Sequence, residues 1–296
     1  MRWRIGLATI LGVVAWASNA PAQSIELASI GSQYMPSADL RGVPGKVQVA
    51  SYDVALNAPI PVAEKTFIIP GLGYHADSVS YSGTAPEFVQ LRAFQSIEAS
   101  ALVVQMLPDS WSIAARLATG LAGDFQAVDA GLLRASAVAT ATHSFSKRFT
   151  LGGGAITSFS FGTFLPLPAV FVDWKPFDGF EVESFLPAFA KVHYTVLTRV
   201  RFGISGDFNG NEYAVRDPRV AGSDFDNLAY SVGTAGVTLG VRLFSSVWLN
   251  GLAGHSFFRR IDRRDASRDL VPGGRDDIPN VPVIRAALVW KIPERD

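Results

Sequence analysis

The chain has 296 residues, of which 48% are hydrophobic and only 18% charged, with 26 basic and 26 acidic residues and no cysteine. A charged share below the typical ~25% leaves much apolar surface to be covered, either by a large core or by lipid. Zero net charge argues against a nucleic-acid partner, and the lack of cysteine excludes disulfides and a Cys-linked lipid anchor.

In chain order, Met1-Arg2-Trp3-Arg4 gives a basic start, Ile5 to Ala17 a short apolar core, and Asn19-Ala20-Pro21-Ala22 a small-residue cleavage site. That pattern is a secretory signal peptide over 1–22, cleaved near Ala22, and it leaves one mature domain over 23–296. Its apolar core is too short to span a bilayer, and no later run approaches the ~20 apolar residues of a transmembrane helix.

The mature chain shows period-2 alternation, the mark of strands with two different faces. A first, weak strand runs from Ile25 to Tyr34. Between Ser112 and Asp124, Ile113, Ala115, Leu117 and Leu121 oppose Ser112, Arg116, Gly120 and Asp124. From Leu132 to Ser144, Leu133, Ala135, Ala137, Ala139 and Ala141 oppose Arg134, Ser136, Thr140 and Thr142. Val170, Val172 and Trp174 oppose Phe171, Asp173 and Lys175. A short hairpin, 180–185 then 188–196, is broken at Pro187. From Val192 to Ile204 the polar positions are Lys191, His193, Thr195, Arg199, Arg201 and Ser205. A long strand covers Leu228 to Leu243. In the last, Ile284, Ala286, Leu288, Trp290 and Ile292 oppose Arg285, Ala287, Val289 and Lys291.

Length separates a soluble sandwich from a barrel. Soluble strands average about 5–6 residues and membrane strands need ~9–11, whereas Leu228 to Leu243 alone is longer than either. Connections alternate in kind: short near 57–64, 107–110, 146–148, 175–179, 197–198 and 245–247; long and polar near 36–45, 76–87, 123–131, 207–227 and 260–280. Trp111, Trp174, Trp248 and Trp290, with Phe145, Phe149, Phe180 and Phe244, gather on the short-turn side. Trp collects where lipid meets water, so the four tryptophans are expected to form a membrane-interface belt. The expected fold is all-β: a single transmembrane up-and-down antiparallel β-barrel of about 12–14 strands, with an apolar exterior and a polar lumen. No fixed sequence period is present, which excludes solenoids and propellers.

Phe185-Leu186-Pro187, then Lys191-Val192-His193-Tyr194 and Asn211-Glu212-Tyr213, carry a family pattern, as do Pro70-Gly71-Leu72-Gly73-Tyr74 and the stretch from Phe164 through Trp174-Lys175-Pro176. With these residues the chain resembles an uncharacterised outer-membrane β-barrel family of Gram-negative bacteria that carries a domain of unknown function. The resemblance covers most of the mature chain. It implies a barrel in the outer membrane and brings no catalytic residues. Such barrels commonly end on an aromatic residue; here Pro293-Glu294-Arg295-Asp296 come after the strand, leaving Trp290 or Ile292 for that role.

Four histidines, His75, His143, His193 and His255, show no metal-ligand spacing, so no metal or cofactor is expected. His75 reads as a loop-edge residue, His193 as lumen-lining, and His143 as lipid-facing near the short-turn interface. Neighbours on a strand face opposite sides, so His143-Ser144 and His255-Ser256 cannot be dyads, and no G-x-S-x-G element is present. An enzyme is not expected. Asp207 to Glu212 looks like a fragment of a calcium loop, but the Gly is early and Pro218 stands at the twelfth position. The mixed charges of 259–280 read as a solvated loop, as a contact with lipopolysaccharide phosphates, or as a constriction folded back into the lumen. The best functional candidates are the charges expected to line the lumen: Asp53, Arg116, Asp124, Arg134, Lys191, Arg199, Arg201, Arg242, Arg285 and Lys291. Bases dominate that set, which predicts an anion preference if the lumen is open. The leading expectation is a passive channel or small-solute transporter in outer-membrane lipid, inserted by the barrel-assembly machinery. The competing classes are a closed structural or adhesive barrel whose loops bind partners or lipopolysaccharide, and an outer-membrane lipid hydrolase.

Overall fold

Side chains two apart in a strand share a face, so the alternating runs can only form a sheet with one apolar and one polar side. In this computed structural model, residues 26–39, 45–83, 93–158, 165–217 and 225–292 are described. The leader assigned to 1–22 lies outside them. The strands are β1 (Glu26–Asp39), β2 (Lys46–Asn57), β3 (Ile60–Ala63), β4 (Thr66–Ser82), β5 (Ala93–Met106) and β6 (Trp111–Gly123). A 3-10 turn, Ala130–Leu132, precedes β7 (Leu133–Ser146), β8 (Phe149–Ser158), β9 (Leu165–Trp174), β10 (Phe180–Leu186) and β11 (Phe189–Val196). Then come β12 (Val200–Ala214), β13 (Asn227–Arg242), β14 (Val247–Arg264), β15 (Leu270–Asp277) and β16 (Pro282–Lys291).

Each barrel strand pairs antiparallel with its neighbours, and β1 pairs with β16 to close the wall. β3 pairs only with β4, and β15 only with β14, so the closed barrel has fourteen of the sixteen strands. The first strand and the Pro187 hairpin are both real members of the wall.

The wall is turned inside out relative to a soluble protein. Leu117 is 67% exposed, and Val237 and Ile284 62% each, on the outer face, whereas their alternates point inward. Exposed apolar surface of that extent is stable only under lipid. Trp111, Phe145, Phe149, Trp174 and Trp290 ring the outer wall at the short-turn end. A second outer row, Tyr34, Tyr52, Tyr74, Phe208 and Phe258, lies toward the long loops, giving an aromatic girdle at each edge of the apolar band.

Four segments expected as long loops are partly strand. β1 continues to Asp39, β4 to Ser82, β12 to Ala214 and β14 to Arg264, with β15 as an added ribbon. On β12 and β14 the alternation persists to these ends, with Tyr213 and Ile261 turned into the interior.

Candidate functional site

The lumen is built in three layers. At the long-loop end, Met35, Val47, Val49, Val79, Phe94, Tyr213, Leu228, Tyr230, Val232, Leu252, Ile261 and Val283 form one buried apolar core. All come from β1, β2, β4, β5, β12, β13, β14 and β16, with Ala122 from β6. A core inside a barrel requires a narrow barrel, and about eight strands is the width that side chains just fill.

The narrowing is made by one seam. β12 and β6 run parallel and meet at Ala214 and Gly123, bypassing β7 to β11. At this end nine strands therefore enclose the interior where fourteen do below. Gly123 is needed there, since a Cβ would stand 2.8 Å from the Ala214 carbonyl oxygen. The Asp124 amide donates to the Ala214 carbonyl at 3.0 Å, and the Asp124 carboxylate accepts from the amides of Arg216 and Asp217, each at 2.8 Å. The Arg216 guanidinium forks onto Asp129 at 2.6 and 3.2 Å and holds that carboxyl below its usual range. Arg134 donates to the Glu212 carbonyl at 2.9 Å and to the Gly131 carbonyl at 2.6 Å.

At the short-turn end the interior is packed as well. Phe67, Ile69, Leu102, Val104 and Ala114 on β4 to β6 meet Ala169, Phe171 and Phe185 on β9 and β10 across the lumen. Beside them are hydroxyl pairs, Ser112 with Thr142 at 2.7 Å and Ser144 with Thr150 at 2.9 Å. The other half of this layer is charged. Lys175 contacts Asp173 at 3.4 Å and Glu181 at 3.2 Å, His193 lies 3.8 Å from Glu181, and Trp248 sits between the guanidiniums of Arg201 and Arg242 at 5.2 and 5.3 Å. Glu26 is buried beside Lys291, its register partner.

Between these layers the inward side chains keep solvent exposure. Asp53 is 59% exposed, Glu98 40%, Arg116 32%, Lys191 31% and Arg285 30%, although all five point into the barrel. They line a hollow, and its charges are paired. Arg116 binds Glu98, Lys191 faces Glu183 at 3.9 Å, and Arg285 reaches Asp207 at 2.9 Å and Gln33 at 2.9 Å. His75 lies between Asp53, at 2.6 Å from Nδ1, and Asp77, at 3.2 Å from Nε2. Asp77 also accepts from Ser51 at 2.6 Å and from the Tyr213 hydroxyl at 2.7 Å, tying the hollow to the apolar core above.

A family model described as a domain of unknown function (DUF6268) matches residues 93–268, more than half of the chain. The chain belongs to the DUF6268 family. Among solved structures it is similar to the COG4313 outer membrane channel from Pseudomonas putida F1, at 11% identity over 94% of this chain and 100% of that chain, with a TM-score of 0.47. It is also similar to the translocator domain of the autotransporter NalP from Neisseria meningitidis, at 14% identity over 90% and 88% of the two chains and a TM-score of 0.35. A Pseudomonas aeruginosa FadL homologue stands at 11% identity, 92% and 93% coverage and a TM-score of 0.34. No match to a curated protein was found.

In this DUF6268 barrel seven of the ten expected lumen charges point inward: Asp53, Arg116, Lys191, Arg201, Arg242, Arg285 and Lys291. Three do not line the hollow. Asp124 lies past the end of β6 and holds the seam. Arg134 has the inward register, but its guanidinium is drawn to the β12 edge. Arg199 sits exposed in the tight turn after β11, where Leu197 and Thr198 have positive φ.

Trp248 departs from the expected belt. It pairs with Arg242 and Val289 on the inner register and is buried, whereas Trp111, Trp174 and Trp290 are on the outer wall. Trp248 shares the even, inward parity of Arg242, its register partner across the turn, so alternation places it inside although its position beside a short turn suggests the belt. His75 is likewise a mid-strand residue of β4 facing inward, not a loop edge. His143 faces outward between Trp111, at 4.9 Å, and Phe145, at 4.6 Å.

The expected excess of positive charge does not hold inside. The acids Glu26, Asp77, Glu98, Asp173, Glu181, Glu183 and Asp207 also face inward and offset the bases. Alternation along β5 and β10 places Glu98, Glu181 and Glu183 on the inner face, as it does Asp173 on β9. In the 259–280 region the arginines are matched by acids: Arg260 with Asp277 at 3.2 Å, Arg263 with Asp276 at 3.5 Å, and Arg275 with Asp262 at 2.9 Å.

Proposed function

We propose that this protein is an outer-membrane barrel that passes a small solute through a gated lumen. The observation that carries the reading is the charged hollow held between two packed ends. An apolar outer wall between aromatic girdles supports insertion in a bilayer, which only closed strand walls or helices can span. The leader pattern over 1–22 supports export, with short turns toward the periplasm and long loops outside. Outer-membrane lipid and the barrel-assembly machinery are the partners this reading requires.

Charges inside a pore set selectivity. With both signs present and paired, the lumen favours neither bulk anions nor bulk cations. The packed layers act as gates, so the resting protein conducts little. The test is planar-bilayer conductance of purified, folded protein. Wild type should show rare, small openings, and Trp248→Ala, which empties the centre of the periplasmic layer, should raise the open fraction. Silence in both proteins would remove the transport reading.

A further inference from the structure

Among the described residues, the transition from fourteen strands to nine leaves a gap in the wall. β10 and β11 stop at the turn over Pro187 and Ala188, level with Phe208. Above that turn β9 keeps a free edge on its β10 side over 166–169, because Val170 is the last residue paired with β10. Pro166 and Pro168 lie on this stretch, and proline, which has no N–H to give a ladder, suits an edge. Opposite, among the described residues, β12 has no ladder partner on its β11 side beyond Phe208 until Ala214 meets Gly123. Arg134, bridging to the Glu212 carbonyl, closes the top. Among the described residues these elements bound a side portal at the level of the outer aromatic girdle. Asn209, inward and exposed, stands at its rim, and Ser205 and Lys191 lie just inside.

We propose that this portal, and not the barrel axis, is the entrance to the charged hollow, and that it admits a small zwitterionic solute. The axis above is filled by the apolar core, so a polar solute would have to displace it. Inside, exposed acids stand on β2 and β5 and exposed bases on β6, β11 and β16. These charges stand as neighbouring pairs, Arg116 with Glu98, Lys191 with Glu183 and Arg285 with Asp207, so a solute carrying both charges can exchange into a pair and leave each partner matched, whereas a lone ion would leave one charge of a pair uncompensated.

The inference rests on the transport reading for its purpose but not for its test. The chain has no cysteine, so a single introduced thiol reports access cleanly. Ser205→Cys in intact cells should react with a membrane-impermeant thiosulfonate added outside, while Ser112→Cys in the packed layer should not. Adding Asn209→Trp should slow the Ser205→Cys reaction at least about tenfold, as a closed lid excludes reagent. Glycine betaine should protect the thiol and glucose should not. Heat-modifiable gel migration verifies that each variant is folded. An unreactive Ser205→Cys in folded protein overturns the portal. So does a rate that ignores Asn209→Trp but rises when the seam is broken by Asp124→Ala. Equal protection by glucose and betaine overturns the solute class. Labelling through the portal together with silent bilayers would keep the entrance and remove transport, leaving the hollow as a binding site.

Discussion

The two ends of this barrel are closed by different means. The long-loop end narrows to nine strands and fills with aliphatic and aromatic side chains, which need no partner of opposite charge. The short-turn end keeps its full width, and part of its filling is Lys175, Glu181, Arg201, Arg242 and Trp248, groups that hold together only as pairs. An apolar plug relies on burial and volume. A charged plug relies on matched partners and can loosen when one is lost. The difference suits the long-loop core to stability and the short-turn layer to the proposed gating.

The comparison is sharpest at the tryptophans. Trp248→Ala should cost about 3–5 kcal/mol, because the ring is packed inside the barrel, while Trp111→Ala on the outer wall should cost well under ~1 kcal/mol. Denaturant unfolding in detergent, read by the fluorescence of the remaining tryptophans, checks this. Equal costs would return Trp248 to the belt. Leu228→Ala in the long-loop core should cost about 2–5 kcal/mol through a cavity, yet leave conductance at the wild-type level. If it opened the pore instead, the two ends would not differ in role.

Arg285→Met leaves Asp207 beside Thr234 without its cation and should cost about 1–3 kcal/mol, less than a fully buried pair because the hollow is wet. It should also shift reversal potentials toward cations, and an unchanged potential would take Arg285 off the solute path. The smallest effect concerns the seam. Arg216 lowers the Asp129 carboxyl pKa, so their contact stabilises the fold above the usual carboxylate range and that contribution is lost as pH falls through the lowered value. Unfolding midpoints of wild type and Arg216→Ala should therefore converge at a pH below the lowered Asp129 value. Parallel curves down to that pH would show that Asp129 does not hold the seam.

Much of the wall was legible in the sequence. The runs at 133–141 and 284–290 place the right residues on the outer face because a strand alternates strictly. The Pro187 hairpin and the even strand count come from the same period. At Trp248 the alternation continued from Arg242 gives the inner face, and it is the residue's place beside a short turn that suggests lipid instead. Asp124 and Arg134 were placed correctly by parity but not by role, since each bonds to β12, a segment some eighty or ninety residues away.

By itself, the sequence determined that this chain builds a closed strand wall with lipid outside and polar groups inside, because period and length are local properties. Only the tertiary structure decided that β12 crosses to β6, that the lumen is packed at both ends, and that its bases meet acids. Those outcomes depend on contacts between distant strands, and a single strand's alternation records which face a residue takes but not what it meets there.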